Sequence, residues 1–399
     1  MKVLIVNKFL HPNGGSETYI FKVGEQLRRM GHEVQYFGME HEGRIVGNQA
    51  ESYTEDMDFH TGKLKKILYP FKIIYSLEAR KKIRPVLEQF GPDIVHLNNF
   101  NFQLTPSILY EIRAYEKKSG GRIKIIYTAH DSQLVCPNHL MQNPITGKCC
   151  SQCLEDGLIC CTKNKCIHGS TVKSILGTME GMVYKRVKAY AKIDTIICPS
   201  RFIKEKLDTD AVLRKRTVVM HNFVDRTEIQ DYGKEDYVLY FGRYSMEKGI
   251  GTLVKVCNAL PHIPFRFAGT GPMEEQVRSC RNVKALGFLE GRELFEVIAK
   301  ARFTVFPSEC YENCPFTVME SLIYGTPVIG SDLGGIPELL EEGKTGELFE
   351  SGNEKELAEK IKSLWKEQER LQRYTEACKS VHFDSLQEYC HKLLHLYEE

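Results

Sequence analysis

The chain has 399 residues, enough for two or three domains, each with a sizeable core of its own. Lys and Arg number 54 against 52 Asp and Glu, a net charge of +2, which excludes nucleic-acid binding driven by bulk charge. No apolar run approaches the ~18 residues of a membrane-spanning helix, and the run Met1–Val6 is too short for a signal peptide, so a cytosolic protein is expected. The chain opens as strand, loop, helix, strand: Val3 to Val6, a turn at Asn13-Gly14-Gly15, a helix capped by Ser16 and stopped at Gly31, then Val34 to Phe37. That unit sets Gly14 and Gly15 at the carboxyl end of the first strand, where open α/β sheets bind ligands. The GxGxxG dinucleotide fingerprint is absent.

Residues 61–85 carry eight Lys/Arg and one Glu among Ile, Leu, Phe and Tyr, with Pro70 interrupting. This basic amphipathic pattern fits either an anionic membrane surface, touched by Lys63 to Arg84, or a solvated pair of surface helices. Strands follow at Ile94 to Leu97 and Ile123 to Tyr127, with a helix near Pro106 to Lys117 between them. The second of these strands runs into His130-Asp131, a histidine beside an acid at a strand end, which suits hydrogen bonding or acid/base work as well as a structural place.

Next comes a cysteine-rich insertion, 131–168, holding seven of the fourteen cysteines. Cys150-x-x-Cys153 and Cys161-x4-Cys166 have the spacing of a structural zinc site, and Cys136 could replace one ligand. Unliganded thiols in a surface loop are the other reading. A helix from Val172 to Ala191, a strand Thr195 to Cys198, a helix Phe202 to Leu207 and a strand Thr217 to Met220 complete a first domain, 1–220. Asp208-Thr209-Asp210 follows a helix, not a buried strand, and is read as a helix-end acidic pair without a metal.

A polar stretch, 221–236, reads as a linker. From 237 to 375 six apolar strands alternate with helices: Tyr237 to Phe241, Phe265 to Ala268, Val283 to Leu286, Phe303 to Phe306, Val328 to Gly330 and Glu347 to Phe349. That is a second doubly wound parallel sheet, so the fold class is α/β with two Rossmann-like domains. Its first loop carries Arg243 and Lys248, a forked donor and a point charge able to converge on one diphosphate. The stretch 303–338 places Glu312 on a loop and Glu320 inside the following helix, whose first amides, at Phe316, Thr317 and Val318, make an anion site. The tail, 376–399, is helical, with Leu386, Tyr389, Leu393 and Leu396 free to pack back on the first domain.

Gly14-Gly15, His130-Asp131, Arg243 with Lys248-Gly249, Glu312 with Glu320, and Gly334-Gly335-Ile336-Pro337-Glu338 together resemble the retaining family 4 glycosyltransferases of the GT-B fold (glycosyl transferases group 1). The resemblance runs over nearly the whole chain and is most specific in the C-terminal half. It implies two domains facing across a cleft, with a nucleotide-diphosphate sugar as donor, bound mostly by the C-terminal domain. It places Arg243 and Lys248 on the diphosphate, Glu320 on the ribose and Glu312 at the donor sugar. The amides of Phe316 and Thr317 would hold phosphate and sugar, Gly14 and Gly15 would line the donor site, and His130 would face the transferred sugar. One departure stands out: Asn313-Cys314-Pro315 occupies the place of the family's usual Phe-Gly pair.

The expected function is a retaining hexosyltransferase acting on a sugar or lipid-linked acceptor in cell-surface polysaccharide or glycolipid assembly. No catalytic metal is expected, since an Arg-Lys pair and a helix N-terminus can stabilise the leaving diphosphate. The expected place is cytoplasmic, peripheral on the inner face of the membrane, with no nucleic-acid partner. A nucleotide-sugar epimerase of the same fold and a non-catalytic nucleotide-sugar-binding protein are the rivals. An epimerase would convert the sugar nucleotide with no acceptor present. A non-catalytic descendant would be free to lose one of Arg243, Lys248, Glu312 and Glu320, all of which are present.

Overall fold

Short runs of Val, Ile, Leu and Phe, too apolar to face water on either side, form the parallel strands of two separate sheets. The computed structural model describes residues 1–55, 74–228 and 233–399. The chain divides into two units: 1–146, 150–221 and 386–399 form the first, and 147–149 and 222–385 the second.

In the first unit, β1 (Lys2–Val6) leads to helix α1 (Gly15–Arg29) and β2 (Glu33–Phe37). Helix α2 (Leu77–Phe90), β3 (Ile94–Leu97), α3 (Ser107–Ser119) and β4 (Lys124–Thr128) follow. After the insertion come α4 (Thr171–Arg186), β5 (Thr195–Cys198), α5 (Arg201–Leu207) and β6 (Thr217–Val219). The sheet order is β2-β1-β3-β4-β5-β6, and every pairing is parallel. Chain direction across the sheet reverses between β1 and β3, so the loops after those strands flank a switch point.

The N-cap of α1 is Gly14, not Ser16, and no side chain caps that end. The Ser16 hydroxyl instead donates to the Glu17 carboxylate at 2.9 Å. Helix α2 is capped by Ser76, whose hydroxyl accepts from the Ala79 amide. Its Ile83, Val86, Leu87 and Phe90 are buried in the unit's core, about 1.5–3 kcal/mol each. Arg80 and Arg84 of the basic stretch both pair with the buried Glu111 of α3, at 2.8 and 2.6 Å. Residues 74–85 of that stretch therefore belong to a packed surface helix and its cap, while 61–73 lie outside the described residues. Among the described residues no helix is long and apolar enough to cross a membrane.

In the second unit, β7 (Val238–Phe241), helix α6 (Ile250–Ala259), β8 (Phe265–Ala268), β9 (Val283–Gly287) and β10 (Phe303–Phe306) come first. Helix α7 (Phe316–Ile323), β11 (Val328–Ser331) and β12 (Gly346–Phe349) follow, then α8 (Glu354–Lys366) and α9 (Gln368–Cys378). The order β12-β11-β10-β7-β8-β9, all parallel, places the switch point between β7 and β10. Cys378, Val381 and Phe383 still pack in this unit. The last helix, α10 (Leu386–Glu398), belongs to the first unit, where the Tyr389 hydroxyl lies 2.8 Å from that of Tyr19 on α1.

Candidate functional site

The switch point of the second sheet is built by the loops leaving β7 and β10. The loop after β7 turns through Gly249 at φ 73°, where an added Cβ would sit 1.7 Å from the Pro307 carbonyl oxygen. Only glycine permits that approach, and it brings Lys248 to the loop after β10. There the Lys248 ammonium meets the Glu312 carboxylate at 2.5 Å, and the Ser308 hydroxyl donates to the same carboxylate oxygen at 2.9 Å. Burial pulls the Lys248 pKa down, but Glu312, Cys310 and Glu247 outweigh it and hold the ammonium above its ordinary value. The Lys248 ammonium is therefore charged throughout the physiological range.

The backbone of Glu312 is gripped from the other side. The Gly335 amide donates to the Glu312 carbonyl at 2.7 Å. Gly334, at φ 64°, passes so close that a Cβ there would lie 2.4 Å from that carbonyl oxygen. The two glycines thus fix the loop that presents Glu312. Arg243 is exposed, its carbonyl accepting from the Tyr240 hydroxyl at 2.8 Å. Helix α7 starts at Phe316 with no side-chain cap, and Glu320 lies half-buried along it. The amide of Val318 is already bonded to the Pro315 carbonyl, leaving those of Phe316 and Thr317 at the helix mouth. Cys314, in the departing Asn313-Cys314-Pro315 segment, is buried, and its carbonyl accepts from the Asn222 side chain at 2.9 Å. Burial pushes the Cys314 thiol up to about 12 and that of Cys310 up to about 11, so neither is a nucleophile at neutral pH.

In the first unit His130 follows β4 but does not pair with Asp131. Its Nε2 faces the Asn98 side-chain oxygen at 2.8 Å, and the Tyr19 ring packs edge-on to it. The Asn98 amide nitrogen donates to the His96 carbonyl at 3.3 Å, which orients its oxygen toward His130. The proton therefore sits on Nε2, and Nδ1 is left as an acceptor. Burial lowers the His130 pKa to about 3, so the ring is neutral at pH 7. Asp131 instead accepts from the Gln133 amide at 2.9 Å and faces His139 at 3.6 Å, shaping the start of the insertion.

Gly14 and Gly15 are exposed at the α1 mouth, with nothing within 4 Å of a Cβ added to Gly15. Beside them Asn7 donates to the buried Glu17 at 2.9 Å, and Asn99 donates to Ser16 at 2.9 Å. Sequence reading missed Asn98, Glu17 and Ser308. Their one signal was a place just past a buried strand or in the first turn of its helix. In the Asp208-Thr209-Asp210 stretch, Asp208 pairs with Lys204 and accepts from Thr217, while Asp210 accepts from the Val212 amide.

Among the described residues no three of Cys150, Cys153, Cys161 and Cys166 bring their sulfurs within 4.8 Å of one another, although Cys153, Cys161 and Cys166 are near enough to act on one another electrostatically. The thiols close in pairs instead, Cys136 with Cys153 and Cys161 with Cys166. Burial pushes Cys161 up to about 12 and Cys166 up to about 11, so both stay protonated.

The sequence profile of Glycosyltransferase Family 4 matches residues 13–228, more than half of the chain. The chain belongs to that family. A second profile, of the glycosyl transferases group 1, matches residues 223–381. An uncharacterized glycosyltransferase of Methanocaldococcus jannaschii is 29% identical over 206 residues, 50% of this chain and 57% of that protein. The chain thus matches little more than half the length of that relative. The N-acetyl-alpha-D-glucosaminyl L-malate synthase of Bacillus anthracis is 24% identical over 371 residues, 89% of this chain and 86% of that protein. Among solved structures, the Anabaena protein HepE in complex with UDP and glucose superposes with a TM-score of 0.66 at 16% identity, covering 100% of this chain and 99% of that one. Two doubly wound parallel-sheet units are thus the GT-B architecture of this family 4 chain.

Proposed function

We propose that this family 4 protein is a retaining glycosyltransferase that moves a hexose from a nucleotide-diphosphate sugar to an acceptor hydroxyl in polysaccharide or glycolipid assembly. The observation that carries the reading is the Lys248–Glu312 contact at the switch point of the second sheet, beside the uncapped N-terminus of α7. Breaking the bond from the anomeric carbon to the diphosphate oxygen leaves negative charge on the diphosphate. Lys248, Arg243 and the amides of Phe316 and Thr317 are assigned to that charge, each such donor contributing about 3 kcal/mol to the transition state. Glu320 is assigned to the ribose hydroxyls, Glu312 to the donor sugar, and the neutral His130 to a hydroxyl of the transferred sugar. The acceptor oxygen bonds the anomeric carbon on the face the diphosphate leaves, and its proton passes to a leaving-phosphate oxygen. Configuration is retained without an enzymic nucleophile.

Because HepE is described with UDP and glucose, UDP-glucose is the first donor to test. A donor at about 100 times its dissociation constant should stabilise the protein by about 2.7 kcal/mol in a thermal-shift screen. NMR of the product with a glycan or lipid-linked acceptor should show the anomeric configuration of the donor. Absence of binding by every nucleotide sugar, or conversion of the donor alone into an epimer, would defeat the proposal.

A further inference from the structure

The first unit contains a cavity of about 370 Å³ between the cysteine-rich insertion, helix α4 and the loops that follow β1 and β3. Its wall is largely apolar: Phe102, Pro137, Leu140, Ile167 and Leu176 line it. Its charged side chains are Lys8 and Lys173, with His139 and His168 beside them, and among the described residues no carboxylate lines it. The Gln103 side-chain oxygen, also at the wall, is buried with no hydrogen-bond partner among the described residues. A buried acceptor left unmet costs about 1–3 kcal/mol unless something donates to it.

The backbone around this cavity is unusual too. Phe102, His139 and His168, all lining residues, hold φ of 62°, 55° and 52°, in the left-handed region that favours glycine. Such conformations cost of order 1–3 kcal/mol each and concentrate at ligand clamps. Beyond Leu176, helix α4 shows water an apolar strip. Val172, Ile175, Met179, Met182 and Val183 are exposed and, by their spacing, share a face with Leu176.

We propose that this cavity binds the acceptor as an amphiphile, an apolar chain ending in a phosphate that also bears a hydroxyl. The chain would lie along Phe102, Ile167 and Leu176, and the phosphate against Lys8 and Lys173. The hydroxyl would satisfy Gln103. That the bound molecule is the acceptor rests on the glycosyltransferase reading; that the cavity binds it does not.

Isothermal titration of the full chain with lauroyl lysophosphatidic acid and with dodecyl phosphate, both below their micelle concentrations, tests the cavity. Both should bind, and inorganic phosphate and a neutral alkyl glucoside should bind at least about tenfold more weakly, a difference of about 1.4 kcal/mol. Leu176→Trp fills the cavity and should abolish binding. Lys173→Glu, at an exposed position that does not threaten folding, should weaken it about tenfold. Equal binding by wild type and both variants, or no binding of either amphiphile by wild type, overturns the proposal. Titration with UDP in parallel separates the two readings, since the donor site is assigned to the second unit. UDP binding without amphiphile binding refutes the cavity and leaves the glycosyltransferase standing. Amphiphile binding without nucleotide binding leaves a lipid-phosphate site but removes its role as acceptor site. Sedimentation with phosphatidylglycerol vesicles identifies the source. Pelleting that Lys173→Glu abolishes assigns the ligand to a membrane, and soluble protein that still binds monomeric amphiphile assigns it to a free acceptor.

Discussion

Acid should loosen the first unit at helix α10, and the His96 ring contributes a definable share. The His96 side chain is 1% exposed, with Nδ1 2.7 Å from the Tyr397 hydroxyl and Nε2 2.7 Å from that of Thr128. Burial, helped by the neighbouring His130, lowers its pKa to about 3. In the unfolded chain it returns to about 6.5. The folded value is the lower one, so the unfolded state takes up the proton first. Stability is therefore complete above the unfolded value, starts to fall below about pH 6.5, and goes on falling until about pH 3. At pH 5 the proton uptake by the unfolded chain amounts to RT ln(1 + 10^1.5), about 2 kcal/mol for this ring. His130, lowered to about 3 by burial, acts with the same sign. Hydrogen–deuterium exchange of the α10 peptides, corrected for intrinsic rates, should show that loss between pH 8 and pH 5. His96→Gln keeps a hydrogen-bonding side chain but cannot titrate, and should remove most of the His96 share. Equal loss in wild type and His96→Gln would refute the assignment to this ring.

Four further outcomes are expected. Gly334→Ala, whose Cβ would meet the Glu312 carbonyl at 2.4 Å, should displace Glu312 and cut turnover about 100-fold. A variant of unchanged rate would show that the loop is not held there. Lys248→Ala and Glu320→Ala should weaken donor binding, whereas Glu312→Ala and His130→Ala should lower kcat more than donor affinity. Normal turnover in Lys248→Ala removes it from the diphosphate. Sulfurs that do not meet three at a time predict substoichiometric zinc in untagged protein purified with reductant. Near-stoichiometric zinc that is lost in Cys150→Ser/Cys153→Ser would overturn the pairing. If the basic stretch contributes to an anionic surface, each charge adds about 1 kcal/mol, and Lys65/Lys66/Lys81/Lys82→Glu should abolish salt-sensitive binding to anionic liposomes. Equal partitioning of variant and wild type would mean that those lysines are a solvated face.

The order of elements was legible in the sequence because both sheets are parallel and buried at their centres, so most strands are short apolar runs bounded by turn residues. Val3 to Val6, Phe303 to Phe306 and Val328 to Gly330 all fall within observed strands. Glycine was legible where backbone meets backbone: Gly249 against Pro307 and Gly334 against Glu312 have no room for a Cβ. Local pattern also marked Lys248 and Glu312 as charged loop residues, though they stand 64 positions apart. Strand order alone brings their loops to one switch point, and strand order is not written in any window of sequence.

Partners were the least legible part. Adjacency in sequence suggested Asp131 for His130, but both lie past the end of β4, where the chain bends, and Asn98, just past β3, takes that place. Spacing suggested Cys150 with Cys153, but Cys136 reaches Cys153 across the folded insertion. The cavity has no sequence signature, because its walls come from four separate stretches around Lys8, Phe102, His139 and Leu176. What the sequence by itself determined is which segments must be buried and which backbone positions must be glycine, since both follow from local chemistry. What only the tertiary structure decided is which distant groups meet, because that depends on how the sheets order their strands and how the insertion closes on itself.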